Sequence, residues 1–574
     1  MPGFFVSNTD VGITLKNRYS DRCTAEQTIN CASGCIKRST LAKFLNDKAF
    51  CDRPGYVIVT EGVLLNKTEL LAQYNASDVA ELIEKMYESC GETFFSAFRG
   101  GFSGALYDKA KDKWIVFTNQ IGDGYLFYYY HDGVFAAGSQ FNYLIDFCRE
   151  KQYPLSWDEG CAYQILTFGY AFDDTTFAAQ IKRLRGGTYF VVEQGKLQVR
   201  EYHVFRKNPE RFRGKSEAEL VEYVDKAFVR AIRMEYAKDE EYGYRFLADL
   251  SGGLDSRMNI WTAHEIGQKH LQLLTYCKGN YLDEIIAKQI AAYWKDEILV
   301  KQLDDASFLY DIDEIVFLNG GLSLYSGITG GKRLLEVLNK DAFGIEHTGM
   351  IGDAILGSFF KSEEDEDRHT PSCMYSERLR KRLDTSITDY YRRFDCYETY
   401  LIYARLFHGA VNTHMIRKNY VEPISPFLDV DFIQTCLDIP VGYRIGHRIY
   451  KRWIMEKHPQ ADRFVWEKTG ARPLAGKNEI RIRRVLRKGP KKLAQFFTGE
   501  KSADHMNPID YWLDKNAELS SYLDRYAEDR LKSVDHLISP LLRSDLEELY
   551  QTGNATEKAM VLTVLSAAKM YFLA

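Results

Sequence analysis

The strongest chemical signal in this sequence is the run Ser251-Gly252-Gly253-Leu254-Asp255-Ser256. It follows an apolar stretch read as a strand over 244–250 and precedes a helical stretch over 257–266. Two glycines at a strand–helix turn let backbone N–H groups close on an anion, because no Cβ stands in the way. The helix N-terminus behind them favours negative charge. Ser251 and Ser256 add hydroxyl donors. Asp255 alone would repel a phosphate, so its presence implies a bridging cation, and Mg²⁺ with a nucleotide pyrophosphate fits. The pattern GxxxxGK(S/T) is absent, which excludes a kinase-type P-loop at this turn.

Such a loop needs a frame. Residues 1–205 are strand-rich: β-branched and aromatic runs stand at 56–60, 114–118, 125–130 and 133–138. A Gln194-Gly195 turn joins two more into a hairpin. Helical periodicity appears over 77–87. After Tyr202 the texture changes, and the polar stretch 207–215 reads as a linker. Helices over 216–235 and 283–294 then alternate with strands over 244–250 and 273–276, the pattern of a parallel sheet with crossover helices. The last 170 or so residues read as largely helical.

Composition excludes several classes. Lys and Arg number 75 against 80 Asp and Glu in 574 residues, a net charge of −5, unlike a general nucleic-acid binder. No apolar run approaches the roughly 18 residues of a membrane span. The N-terminus lacks the basic start and apolar stretch of a signal peptide. The 11 cysteines include no CxxC pair, so they read as reduced thiols of a cytoplasmic protein rather than zinc ligands.

The run 251–256 resembles the PP-loop of the asparagine synthetase family, whose members adenylate a carboxylate and release pyrophosphate. Further stretches match in order. Thr348-Gly349-Met350-Ile351-Gly352-Asp353 resembles the family's second phosphate and metal loop, S-G-x-G-x-D-E. Val421-Glu422-Pro423-Ile424-Ser425-Pro426-Phe427-Leu428-Asp429 resembles its E-x-R-x-P-F-L-D box. Trp466-Glu467-Lys468-Thr469-Gly470 resembles the segment whose lysine stabilises the adenylation transition state, and 448–453 (RIYKRW) sits at the family's basic helix start. The resemblance implies ATP and Mg²⁺ as cofactors. It implies Leu250, Ser251, Gly252, Gly253, Asp255, Ser256, Tyr276 and Gly349 around the nucleotide and pyrophosphate. Asp255 and Asp353 would hold the metal, and Lys468 would be the catalytic residue. Met350, Ala354 and Ile424 depart from the pattern, and Met350 cannot move a proton. Aspartate-to-asparagine conversion is therefore placed in doubt.

The first half resembles the class II glutaminase domain. Its matches are 98–108 (FRGGFSGALYD), Thr118-Asn119-Gln120-Ile121-Gly122, Glu61-Gly62, and Ser77-Asp78, which resembles the pair closing on the substrate's amino group. That family begins Met-Cys-Gly; here Pro2 stands in the cysteine's place, and proline has no nucleophilic side chain. Glu61 replaces an Asn amide donor.

The resemblance thus implies a mixture of α/β and α+β architecture. Residues 1–205 form an Ntn-type αββα sandwich without glutaminase activity. Residues 206–574 form a PP-loop, doubly wound parallel α/β unit with a helical C-terminal part. The expected function is AMP-forming amide ligation of a small-molecule, sugar-linked or peptide carboxylate to ammonia or an amine. An intramolecular cyclase (β-lactam synthetase-like or lasso peptide cyclase-like), asparagine synthesis proper and a degenerate binding protein are the alternatives. No nucleic acid and no membrane span are expected, and a homodimer is compatible. A basic stretch follows Lys468: Lys477, Arg481, Arg483, Arg484, Arg487, Lys488, Lys491 and Lys492. It fits a solvated face, an anionic-substrate channel or an acidic partner.

Overall fold

A computed structural model describes residues 2–15, 23–327, 331–367, 373–383, 385–498 and 501–573. Two antiparallel sheets come first. One runs in the order Ile181–Arg183, Phe127–His131, Val134–Gly138, Gly3–Ser7, Gly34–Ser39, Gln27–Cys31. The other runs Lys196–Glu201, Thr188–Glu193, Lys113–Thr118, Phe102–Asp108, Tyr56–Gly62, Phe50–Asp52. Side chains alternate faces along each strand. Val57 and Val59 turn inward with Val116 and Phe190 onto Phe4, Val6 and Ile36 of the first sheet. Ile58, Leu106 and Ile115 turn outward onto Leu82, Ile83 and Met86 of the helix Val79–Cys90. On the opposite side Phe5, Phe127 and Tyr129 pack on the helices Phe141–Lys151 and Glu159–Phe168. The four layers are helix, sheet, sheet, helix.

The third sheet is wholly parallel: Glu297–Gln302, Gln272–Cys277, Arg245–Asp249, Phe343–His347, Glu422–Ile424. The helices Asp255–Glu265 and Leu282–Trp294 are its first crossovers. Strand order reverses between Arg245–Asp249 and Phe343–His347, and at such a point the connecting loops part to leave a crevice. The helix Glu217–Tyr242 starts on a Ser216/Glu219 capping box and ends at Gly243 in the left-handed region.

The change from antiparallel to parallel sheet falls between Glu201 and Arg245, but the hydrophobic core does not stop there. The helix Ala555–Ala568 has 12 of its 14 residues buried, so no stripe marks it as amphipathic. It packs on Glu159–Phe168 and Ile312–Asn319, joining the C-terminal helices to the N-terminal sandwich in one core.

Candidate functional site at the strand-order reversal

Two loops meet at the reversal. Ser256 Oγ accepts from the Ser251 N–H and lies 3.0 Å from Ser251 Oγ. Ser251 Oγ accepts from the Gly253 N–H at 3.1 Å. The turn thereby curls its hydroxyls to one side. The second loop leaves Phe343–His347 and comes so close that a Cβ on Gly349 would lie 2.2 Å from Ser256 N. A Cβ on Gly352 would lie 2.6 Å from Asp255 Cγ. These glycines serve close approach of two chains rather than a turn.

The contact sets Asp255 beside Asp353. The Asp353 N–H donates to Asp255 Oδ2 at 2.7 Å, and Tyr450 OH donates to Oδ1 at 2.9 Å. Burial, with Asp353 next to it, pushes the Asp255 carboxyl up to about 8. Two adjacent carboxylates, whose mutual repulsion and burial disfavour the charged form, form a donor set that a hard divalent cation would relieve. Among the described residues no three His, Cys, Asp or Glu side chains cluster for a metal, so the remaining ligands would be phosphate oxygens or water.

Lys468 reaches this pair from a third loop. The Glu467 N–H donates to the Gly252 carbonyl at 3.1 Å, which pins that loop to the glycine turn. Lys468 Nζ then stands half exposed, 3.6 Å from Asp353 Oδ2 and 5.6 Å from the centre of the Trp466 ring. Together the loops border a cleft of about 730 Å³, in the size range of small-molecule sites. Leu250, Ser251, Gly253, Asp255, Ser256, Tyr276, Gly349, Asp353 and Lys468 all line it. Gly252 does not: its N–H donates to Asp283 Oδ1 at 2.7 Å, beneath Glu467.

Several positioning residues were not legible beforehand. Arg257 is fully buried and donates to the carbonyls of Gly252, Ala461, Phe464 and Val465, tying the glycine turn to the Lys468 segment. Arg417 donates to Asp249, Glu346 and the Tyr276 hydroxyl, so the Tyr276 ring is fixed at the cleft wall. The segment RIYKRW contributes differently from its basic character. Arg448 and Arg452 pair with Glu217 on the outside, while Tyr450 turns inward to Asp255. The basic residues at 448, 451 and 452 were the visible signal; the tyrosine between them is the one that reaches the site.

His458 clamps the helices behind the site. It follows Arg448–Lys457, and its ring lies 3.3 Å from Asp225 and 2.5 Å from Glu265, at the far end of the helix that begins with Asp255. Burial alone would lower its pKa, but the two carboxylates outweigh that and raise it. A raised histidine stabilises fully below its unfolded value of about 6.5 and loses that contribution as pH rises through the folded value. Denaturant unfolding should therefore show stability falling between pH 6 and 8 by more in the parent than in His458→Gln.

The glutaminase-like pocket is small. Pro2, Glu61, Gly62, Gly101, Ser103 and Ser139 border a cavity of about 40 Å³, water-sized rather than amino-acid-sized. Lys418 and Glu422 enter it from the C-terminal half. The Glu61 carboxylate accepts from Thr40 Oγ1 and lies 3.3 Å from Lys48 Nζ. Ser77-Asp78 is not there. Asp78 caps the helix Val79–Cys90 and pairs with Arg53 at the surface, a local capping role that its sequence already permitted.

Residues 49–203 match the glutamine amidotransferase domain family. Over 408 residues the chain is 21% identical to a Methanocaldococcus jannaschii protein carrying the name asparagine synthetase (glutamine-hydrolyzing) 1. That match covers 68% of this chain and 65% of the relative, slightly less than two thirds of its length. Over those 408 residues the chain is similar to an asparagine synthetase, and over 49–203 to a glutamine amidotransferase domain. Among solved structures, glutamine phosphoribosylpyrophosphate amidotransferase from B. subtilis, complexed with ADP and GMP, matches at 10% identity and TM-score 0.23. It covers 47% of this chain and 77% of its own. A structure described as the allosteric regulatory enzyme of purine biosynthesis matches at 10% identity and TM-score 0.24, over 52% of this chain and 74% of its own. Among the described residues no helix is long and apolar enough to cross a membrane.

Proposed function

We propose that this chain is an ATP-dependent, AMP- and pyrophosphate-forming amide ligase that works without its own glutaminase. The observation that carries the reading is one cleft lined by the Ser251–Ser256 turn, the Asp255–Asp353 pair and Lys468. Ser251, Gly253 and Ser256 hold pyrophosphate, with Gly252 shaping the turn from below. Leu250, Gly349 and Tyr276 bound the nucleotide. Asp255 and Asp353 would hold Mg²⁺, which supplies charge neutralisation across the phosphates. A substrate carboxylate attacks the α-phosphorus of ATP and pyrophosphate leaves. Ammonia or an amine then attacks the acyl carbon and AMP leaves. Lys468 stabilises the charge that develops in both steps.

Lys468→Ala should lower the turnover number by about a hundredfold or more, while ATP binding changes by less than about threefold, because the lysine acts on developing charge. Equal losses in binding and turnover would assign it a binding role only. The small pocket at Pro2 predicts no ammonia release from glutamine above background. Pro2→Cys alone should not create it, since Lys418 and Glu422 still border a cavity of water size. Glutamine hydrolysis by the parent chain would overturn that part of the reading.

A further inference from the structure

Along the first part of the helix Lys477–Thr498, three large aliphatics face water: Ile482 is 60% exposed, Val485 62% and Leu486 70%. At about 100° per residue these three span one arc of roughly 100°, with Arg481 at one edge and Arg483 at the other. Arg487 points the other way and donates to the Glu467 carbonyl at 3.0 Å, so the opposite side holds the helix to the Lys468 loop. From 477 to 487 five residues are basic and one, Glu479, is acidic. Glu479 is taken up by Arg483, and among the described residues Arg481 and Arg484 have no carboxylate partner. The sequence continues with Lys488, Lys491 and Lys492.

We propose that this helix docks flat on an anionic lipid bilayer. An apolar arc bordered by guanidinium groups matches such a surface twice over. The aliphatics enter the boundary between headgroups and acyl chains, and the arginines lie level with the phosphates. The surface of an acidic protein would meet the charge but would leave three adjacent bulky aliphatics without an apolar counterpart. The helix lies on the bilayer rather than crossing it, since its length carries too many charges to span. In sequence it lies between two segments that line the cleft, 466–468 and 505–507. The proposal does not depend on what the cleft catalyses.

The test is flotation of the full chain with vesicles of phosphatidylcholine alone and of phosphatidylcholine mixed with phosphatidylglycerol. The expected result is binding to the anionic vesicles at least about tenfold stronger than to the neutral ones, weakened by salt. The double variant Ile482→Glu/Leu486→Glu should lose it. Arg481→Glu/Arg483→Glu, which keeps the apolar arc, should lose the preference for anionic lipid. Both variants should melt with the parent, because all four side chains are exposed. No binding to either vesicle overturns the proposal. So does equal binding by Ile482→Glu/Leu486→Glu, or a self-association of the parent that this variant abolishes and vesicles do not alter.

Discussion

Asp255→Ala is expected to weaken Mg²⁺-dependent ATP binding by about a hundredfold, the loss of roughly 2–3 kcal/mol of charge-assisted interaction. Pyrophosphate release should fall below detection. Three things would end together: the proposed cation ligand disappears, the Asp353 N–H loses its acceptor, and so does the Tyr450 hydroxyl. Asp255→Asn separates them. Its amide oxygen can still accept one hydrogen bond, but the charge is gone. It should therefore keep the parent's melting temperature in metal-free buffer and still fail to bind ATP with Mg²⁺. Titration calorimetry and thermal unfolding read the two quantities independently. ATP affinity unchanged in both variants would remove Asp255 from the site.

Gly349→Ala should be as damaging without touching a charge. The new methyl would stand 2.2 Å from Ser256 N and 2.6 Å from Asp255 C, both backbone atoms of the other loop. A flexible side chain could swing away; two main chains must separate. The expected cost is about 1–3 kcal/mol of stability, together with loss of ATP binding of at least about tenfold, because Asp255 and Asp353 move apart. Gly55→Ala is the control, since nothing lies within 4 Å of a Cβ placed there. It should melt within about 0.5 kcal/mol of the parent. Wild-type ATP binding by Gly349→Ala would mean that the two loops need not touch.

What sequence could reveal divides along local and distant lines. The glycine turn was legible because its signal is local: an apolar run, two glycines, two serines, then helical spacing. The parallel sheet was legible from alternation of strand and helix, and the hairpin at Gln194-Gly195 from its turn chemistry. The strands Gly3–Ser7 and Gly34–Ser39 carry weaker patterns and emerged only as central strands of the first sheet. The residues that hold the site from outside had no local signal. Asp283, Arg257, Arg417 and Tyr450 act on partners many residues away, and a buried arginine bonded to four carbonyls has no spacing of its own. The shared core was hidden for a related reason. Ala555–Ala568 is buried on nearly every side, so periodicity says helix but not against what.

The central claim is that this cleft splits ATP between its α- and β-phosphates. The most direct measurement is product analysis after the chain is incubated with Mg²⁺-ATP and a panel of carboxylates with ammonia or amines, the small-molecule fraction of a cell extract included. The parent should release AMP and pyrophosphate in equal amounts, and Asp255→Ala should release neither. Formation of ADP and orthophosphate, or AMP release undiminished in Asp255→Ala, would contradict the account.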